Sequence, residues 1–408
     1  MTVSSRSRLP ATFWITALIA FINAVSFTIL IPILYPYAKQ FNLSDFQASL
    51  LTTSYAVSQF FATPVLGRLS DFLGRKPLLL ISLLGTVVAN VTASLAPVAW
   101  LLFAARIFDG LTGGNSSIAT AIISDITPAQ QRAKAFGWYD AAFRSGFILG
   151  PAISYVMQLV PPVPGVTRLG MSFLASAMLA FIALVLTLFV LPETSPQKQP
   201  LKLNWQIFGL GRIVEAVQRP RLGRAFLLTF LSGFTFTIFA FAFQPFFIKV
   251  LRQDAANLAI LFTFIGVVGV LTQIFLVGRL TKRFNLANLL AGAIGIRAGV
   301  FMLIPLVPSV PGFLALSATL GMANSFPMPL LNAILSLNSK DEEQGQVLGI
   351  NSSFLSISNA LGPAFAGLLV SISYQTPFWV AGVLTFLTAW FALSLKSVVT
   401  CQSKTKAA

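Results

Sequence analysis

Residues 67–77 read Gly67-Arg68-Leu69-Ser70-Asp71-Phe72-Leu73-Gly74-Arg75-Lys76-Pro77. This short charged stretch, punctuated by two glycines, separates two apolar runs, roughly 46–66 and 78–95. Each run approaches the ~20 apolar residues that a helix needs to cross the hydrocarbon core of a bilayer. The stretch therefore predicts a tight hairpin between two membrane helices. Gly67 and Gly74 allow close approach and a sharp exit, because glycine has no side chain to clash. Arg68, Arg75 and Lys76 place the turn on the cytoplasmic side. Asp71 offers a carboxylate to a basic partner.

The same pattern of long apolar runs and short polar breaks covers the whole chain. Of 408 residues, 56% are hydrophobic and only 9% charged, where soluble domains carry about 25% charged residues. That balance excludes a soluble enzyme and predicts a polytopic helical membrane protein. The formal net charge of +16 sits in short loops. It reads as a topology signal and as contact with anionic lipid, not as a nucleic-acid surface. The single cysteine, Cys401, excludes a disulfide within the chain and suggests no metal cluster. There is no histidine, so a proton relay must use carboxylates. The apolar run after Arg6 and Arg8 is too long for a cleaved leader and reads as a retained first helix.

Twelve candidate spans follow, at about 12–35, 46–67, 77–96, 98–124, 134–158, 169–191, 223–248, 256–278, 286–306, 310–337, 345–372 and 377–396. With both termini cytoplasmic, only Lys39, Arg168, Lys249 and Arg252 fall in outer loops, and Arg106, Arg144 and Arg297 fall inside spans. The rest of the 27 lysines and arginines lie on the cytoplasmic side, the bias expected of inner loops. The stretch 192–222, with four prolines and several basic residues, reads as a cytoplasmic linker with a short surface helix near Ile213–Gln218. It divides an N-terminal six-helix bundle (1–191) from a C-terminal bundle and tail (223–408).

The halves repeat each other. Gly67-Arg68-Leu69-Ser70 returns as Gly278-Arg279-Leu280-Thr281 at an offset of 211. Ala121-Ile122-Ile123-Ser124 returns as Ala333-Ile334-Leu335-Ser336 at 212, and Gly150-Pro151-Ala152 as Gly362-Pro363-Ala364 at 212. Duplicated six-helix units are a transporter architecture, with the substrate site near the midplane between repeats. The second copy of the charged turn has changed: Lys282 stands where the first has Asp71, and Asn285 where it has Gly74.

The run G-x-L-S-D-x-x-G-R-K at Gly67–Lys76 resembles the loop 2–3 signature of the major facilitator superfamily, and within it the drug:proton antiporters of the tetracycline-efflux type. The resemblance implies an all-α membrane fold of twelve transmembrane helices in two pseudo-symmetric bundles. It implies a gate of Gly67, Asp71, Gly74, Arg75 and, opening loop 4–5, Asp125. A few ion pairs in a partly dry interface bias a two-state equilibrium by a few kcal/mol; the plainer reading of Asp125 is a turn cap. Gly146-Phe147-Ile148-Leu149-Gly150-Pro151 resembles the antiporter signature of span 5, although Ser154-Tyr155 stand where the family continues with two glycines. As packing residues, Gly146, Gly150 and Pro151 equally describe a kinked helix interface. Arg106 followed by Gly110, Gly113 and Gly114 resembles the span 4 motif, whose arginine the family ties to proton transfer.

Charges inside a span are costly and usually functional. Only two acids lie within spans, Asp109 and Asp140. Asp109 falls near the midplane, Arg106 is three residues before it, and Asp140 shares a helical face with Arg144. These four predict a buried network across spans 4 and 5. Either its charges only neutralise one another, or Asp109 or Asp140, with Asp140 slightly preferred, binds the coupling proton. Span 1 carries Asn23 where many drug antiporters have an acid, so it cannot hold that proton. The family places spans 1, 4, 7 and 10 around the substrate. This nominates Asn23, Asp109, Gln244 and Asn324, with Phe239, Phe243, Met322 and Phe326 as an apolar wall suited to a lipophilic solute.

The expected function is secondary active export of a small, lipophilic organic molecule by proton antiport and alternating access. A uniporter or symporter for a metabolite is the alternative, and a non-transporting sensor or scaffold a remote one. No nucleotide-binding loop is present, and no cofactor or metal is expected beyond the proton. The expected partners are the solute and membrane lipid, the expected state a monomer, and the expected site a bacterial-type inner membrane.

Overall fold

The computed structural model describes residues 9–195, 210–220, 222–340 and 343–395. Arg6, Arg8, Cys401 and about half of the expected linker (196–209 and 221) lie outside them. Every regular element among the described residues is helical. The chain folds into two compact units, one from the described parts of residues 1–33 and 61–208, the other from those of 34–60 and 209–408.

Helices α1 (Ala11–Thr28), α2 (Leu34–Gln40) and α3 (Asp45–Leu73) open the chain, followed by α4 (Arg75–Ser94), α5 (Ala99–Thr112), α6 (Asn115–Ile126), α7 (Ala129–Leu159) and α8 (Gly170–Phe189). Helix α9 (Leu210–Gln218) is the short helix expected before the second half. Next come α10 (Gly223–Pro245), α11 (Ala255–Thr272), α12 (Gly278–Arg283), α13 (Leu286–Leu303), α14 (Val310–Asn324), α15 (Pro327–Leu337), α16 (Gln344–Ile372) and α17 (Thr376–Leu393). Among the described residues, nine helical stretches are long and apolar enough to cross a membrane. The other three expected spans correspond to α3 and α7, which are long but carry charged residues, and to the pair α5 and α6.

The sequence repeat is also a packing repeat. In the first unit α1 packs on α7 and α4 on α8; in the second, α10 packs on α16 and α13 on α17. Small residues allow these approaches, which in lipid depend on close contact and hydrogen bonds more than on the hydrophobic effect. The Thr28 hydroxyl donates to the Gly146 carbonyl at 2.7 Å, and Gly150 lies against Thr28 and the Ile29 amide. In the second unit the Thr237 hydroxyl donates to the Ser358 carbonyl at 3.1 Å, and Gly362 lies against Thr237. Gly146 and Ser358 are 212 residues apart, as are Gly150 and Gly362. Pro151 and Pro363 each follow inside their helices.

Two expectations need correction. The charged turn is not a loop over 67–77. Helix α3 continues to Leu73, and the reversal is concentrated in Gly74 at φ 111°, a left-handed conformation that disfavours a side chain. Nothing approaches Gly67 within 4 Å of where a Cβ would stand, so its predicted role in close approach does not hold. Expected span 4 is likewise not one helix. It breaks between α5 and α6 at Gly113–Gly114, and expected span 10 breaks between α14 and α15 at Ser325–Phe326. The two breaks are 212 residues apart, so they belong to the repeat. Backbone groups freed inside a membrane need partners. Ser82 on α4 supplies them at the first break: its hydroxyl donates to the Thr112 carbonyl and accepts from the Gly114 amide at 3.1 Å. At the second, the Ser325 hydroxyl donates to the Gly321 carbonyl at 2.9 Å and the Gly269 carbonyl at 3.1 Å. Pro327 starts α15 without an N–H to satisfy.

Candidate functional site

The first unit holds a buried ion pair at the broken span. Arg106 Nη1 donates to Asp109 Oδ2 at 3.1 Å, and the two residues are 4% and 5% exposed. The i, i+3 spacing on α5 puts both on one face. The Thr86 side chain on α4 lies beside Asp109. Asn115, the first residue of α6, donates to Asn23 Oδ1 on α1 at 3.0 Å and to the Thr86 hydroxyl at 3.5 Å. A polar spine thus runs from Arg106 through Asp109, Thr86 and Asn115 to Asn23. A small cavity lined by Asn23, Asn115, Ser116 and Tyr139 adjoins its Asn23 end. Thr86 and Asn115 were not read from the sequence. The signal for Asn115 was available: it is the first polar residue after Gly113-Gly114, where the helix restarts.

Asp140 and Arg144 form a second pair, with Arg144 Nε donating to Asp140 Oδ2 at 2.6 Å. This corrects the expected burial. The Asp140 side chain is 56% exposed and that of Arg144 42%. The i, i+4 spacing predicted the shared face correctly, but that face of α7 points away from the interior packed by Gly146 and Gly150.

A third cluster surrounds Gly74. Arg75 Nη1 bridges to Asp71 Oδ1 at 2.7 Å and Arg75 Nε to Asp125 Oδ2 at 2.9 Å, while Nη1 also donates to the Ser70 hydroxyl at 2.6 Å. One guanidinium therefore ties the end of α3 to the end of α6. Glu193 completes the cluster and was missed by the sequence reading, although it is the one acid between Asp140 and Glu215. Its carboxylate accepts from the backbone amides of Arg75 at 3.0 Å and Lys76 at 3.2 Å, where the positive end of the α4 dipole favours an anion. Partial burial alone would raise the Glu193 carboxyl, but four backbone N–H donors hold it below its usual value.

The second unit contains a further polar cluster that sequence reasoning did not find. Asp45 pairs with Lys39 Nζ at 2.8 Å and accepts from Tyr35 at 2.7 Å and from Tyr374 at 3.3 Å. Burial would raise this carboxyl; Lys39 and the two phenols outweigh it and hold it below the ordinary aspartate range. Tyr374 is remote in sequence, which is why no local pattern revealed the cluster.

The proposed substrate wall is only partly a wall. Phe239, Phe243 and Phe326 are buried at 4%, 1% and 7% exposure. Phe239 stacks on Phe301 with centroids 4.6 Å apart, and Phe243 lies 5.0 Å from Phe313. They fill the interior of the second unit because aromatic rings gain most from mutual packing. Met322 is exposed and Asn324 half-buried, while Gln244 is buried with its Oε1 lacking a hydrogen-bond partner.

Comparison with known proteins identifies the family and the fold. The chain matches the family described as Major Facilitator Superfamily over residues 16–222 and 225–406. It is 30% identical over 387 residues to the tetracycline resistance protein, class C, of Escherichia coli, covering 91% of this chain and 93% of that one. It is also 30% identical over 365 residues to multidrug resistance protein 1 of Bacillus subtilis (strain 168), covering 89% and 90%. Among solved structures it resembles the human organic anion transporter MFSD10 (TETRAN) with a TM-score of 0.71 at 20% identity, covering 94% of this chain and 100% of that one. It resembles the nucleoside transporter NupG with a TM-score of 0.77 at 14% identity, covering 94% and 99%. At such identities the structures show the fold alone. The protein is a multi-pass membrane transporter of small molecules and not an enzyme, and the chain belongs to the Major Facilitator Superfamily.

Proposed function

We propose that the protein exports a small lipophilic organic molecule in exchange for protons, with Asp109 as the proton-binding group. The observation that carries this reading is the Arg106–Asp109 pair, buried beside a break in a membrane helix. A buried carboxylate near one arginine sits between two protonation states: desolvation favours the neutral acid and the guanidinium favours the anion. A change of conformation that moves Arg106 or admits water tips that balance, which is the requirement for coupling. The polar spine from Asp109 to Asn23 offers a path by which a solute near α1 is felt at the carboxylate. Kinship with tetracycline and multidrug resistance proteins supports export of drug-like solutes. The resemblance of Gly146–Pro151 to the antiporter signature supports exchange.

The cluster of Asp71, Arg75 and Asp125 is assigned to gating. Two carboxylates sharing one guanidinium form a latch that is broken or made as a unit. The positive-inside bias supports a bacterial-type inner membrane with both termini cytoplasmic, and the two-unit repeat supports a working monomer. The test uses purified protein in liposomes with a trapped pH dye. Lipophilic drugs added under a pH gradient are expected to evoke proton flux opposite to drug flux. Proton flux in the same direction as the solute would favour the metabolite symporter, and solute flux without protons a uniporter.

A further inference from the structure

The second unit contains a membrane-buried cation that the proposed mechanism does not use. Arg297 lies in the middle of α13 and is 1% exposed. Arginine stays protonated in proteins, so a full positive charge resides there. Among the described residues no carboxylate lies within ion-pair distance of it. Its partners are all neutral. Nη2 donates to the Ser232 carbonyl and hydroxyl, each at 3.0 Å, and to the Thr235 hydroxyl at 3.3 Å. Nη1 donates to Asn324 Oδ1 at 3.3 Å, and Nε has no acceptor.

The repeat argues against a purely structural role. Subtracting 212 places Arg297 on Gly85 and Asn324 on Thr112. In the first unit Gly85 packs directly against Thr112. The same position in the fold is thus satisfied by a glycine and a threonine, and packing there does not require a guanidinium. Among the described residues, Asn324 is the one hydrogen-bond partner of the guanidinium that is not fully buried. Asn324 is half-buried, ends α14 at the break of span 10, and holds Nη1 at a long 3.3 Å. Moving its amide aside releases Nη1, beside an Nε that already lacks an acceptor. Burying a charge without a counter-charge is expensive, and a monovalent anion supplies the missing one.

We propose that Arg297, covered by Asn324, is a subsite for a single anionic group, the carboxylate or phenolate of an amphipathic solute. This rests on the reading of the protein as a transporter and names a substrate class for it. The guanidinium donates to the anion, Ser232 and Thr235 hold the guanidinium in place, and Asn324 moves aside. The anion remains intact throughout.

The experiment uses the full chain purified in detergent, in a zwitterionic buffer of low anion content. Benzoate is the probe, benzyl alcohol its neutral counterpart and chloride the free-ion control. Benzoate is expected to bind by calorimetry and to raise the thermal midpoint, and benzyl alcohol to do neither. Arg297→Gln is expected to weaken benzoate about 10- to 100-fold, the range for losing a charged hydrogen-bond partner, and Arg297→Lys to weaken it less. Should Arg297→Gln fail to fold, Asn324→Ala carries the test, because uncovering the guanidinium is expected to tighten benzoate. Equal response to benzoate and benzyl alcohol, or no change in either variant, overturns the proposal. Binding of chloride without benzoate overturns the solute source and assigns the site to a free ion. In Arg297→Gln, a weakened benzoate response with proton flux still evoked by neutral or cationic drugs is the expected pattern. Drug-evoked proton flux without any benzoate response in wild type would sink the subsite and leave the transport reading intact.

Discussion

Replacing Gly150 by alanine tests the packing that places span 5. A Cβ at Gly150 would stand 2.8 Å from the Ile29 amide nitrogen and from the Thr28 carbonyl carbon, and closer still to the Thr28 hydroxyl. The hydroxyl can rotate, but the backbone atoms cannot. Ordinary contact begins near 3.4 Å, so α1 and α7 must separate by about 0.6 Å. Overpacking of this kind costs about 1–3 kcal/mol. The separation also strains the 2.7 Å bond from Thr28 to the Gly146 carbonyl, which contributes about 1 kcal/mol when intact. Alanine favours a helix over glycine by about 1 kcal/mol, leaving a net loss of about 1–3 kcal/mol. Gly137 on the same helix is the control, because nothing lies within 4 Å of its would-be Cβ. Thermal unfolding of the purified proteins, followed by fluorescence, is expected to show a lower midpoint for Gly150→Ala and an unchanged or higher one for Gly137→Ala. A Gly150→Ala variant as stable as wild type would refute the close-packing account, and the motif would then need a role in chemistry.

Three further outcomes follow from the charged groups. Arg106→Met or Asp109→Leu alone is expected to cost about 3–5 kcal/mol by stranding a buried charge, while the double variant costs clearly less than the sum in an unfolding cycle; simple additivity would show that the two do not act as a pair. Asp125→Asn leaves Arg75 with Asp71 and, for a partly exposed pair, is expected to shift the gate equilibrium about fivefold, or ~1 kcal/mol. Turnover should change with drug affinity held, and the reverse pattern would remove the cluster from gating. Asp45 has its carboxyl held below the unfolded value, so its stabilisation is complete above about pH 4 and is lost as pH falls through the folded value. The midpoint difference between wild type and Asp45→Asn should therefore be largest near neutral pH and shrink as pH falls below about 4, and a constant difference would contradict the assignment.

Much of the fold was legible because its signals are local or periodic. Apolar runs, basic loops and the offset of 212 are properties of the string, and Gly150 and Gly362 pack alike because the repeat kept both residues and surroundings. The breaks in spans 4 and 10 were harder. Gly113-Gly114 read as glycines of the span 4 motif, and it is Ser82, brought in from α4, that makes a broken backbone tolerable there. Helical spacing paired Asp140 with Arg144 but carries no information about which face of α7 turns inward. Phenylalanine in α10 was equally consistent with a wall, a core or a lipid face, and mutual stacking decided for the core. Glu193 and Tyr374 reach their partners across long stretches of chain, where no spacing rule applies.

The central claim is that Asp109 carries the coupling proton. The direct measurement compares wild type, Asp109→Asn and Asp140→Asn in liposomes with a trapped pH dye, beside drug binding to the same proteins in detergent. The account predicts drug-evoked counterflow of protons in wild type and in Asp140→Asn, and its loss in Asp109→Asn with drug binding retained. Persistent coupled flux in Asp109→Asn, with loss in Asp140→Asn, would contradict it and move the proton to the exposed carboxylate on α7.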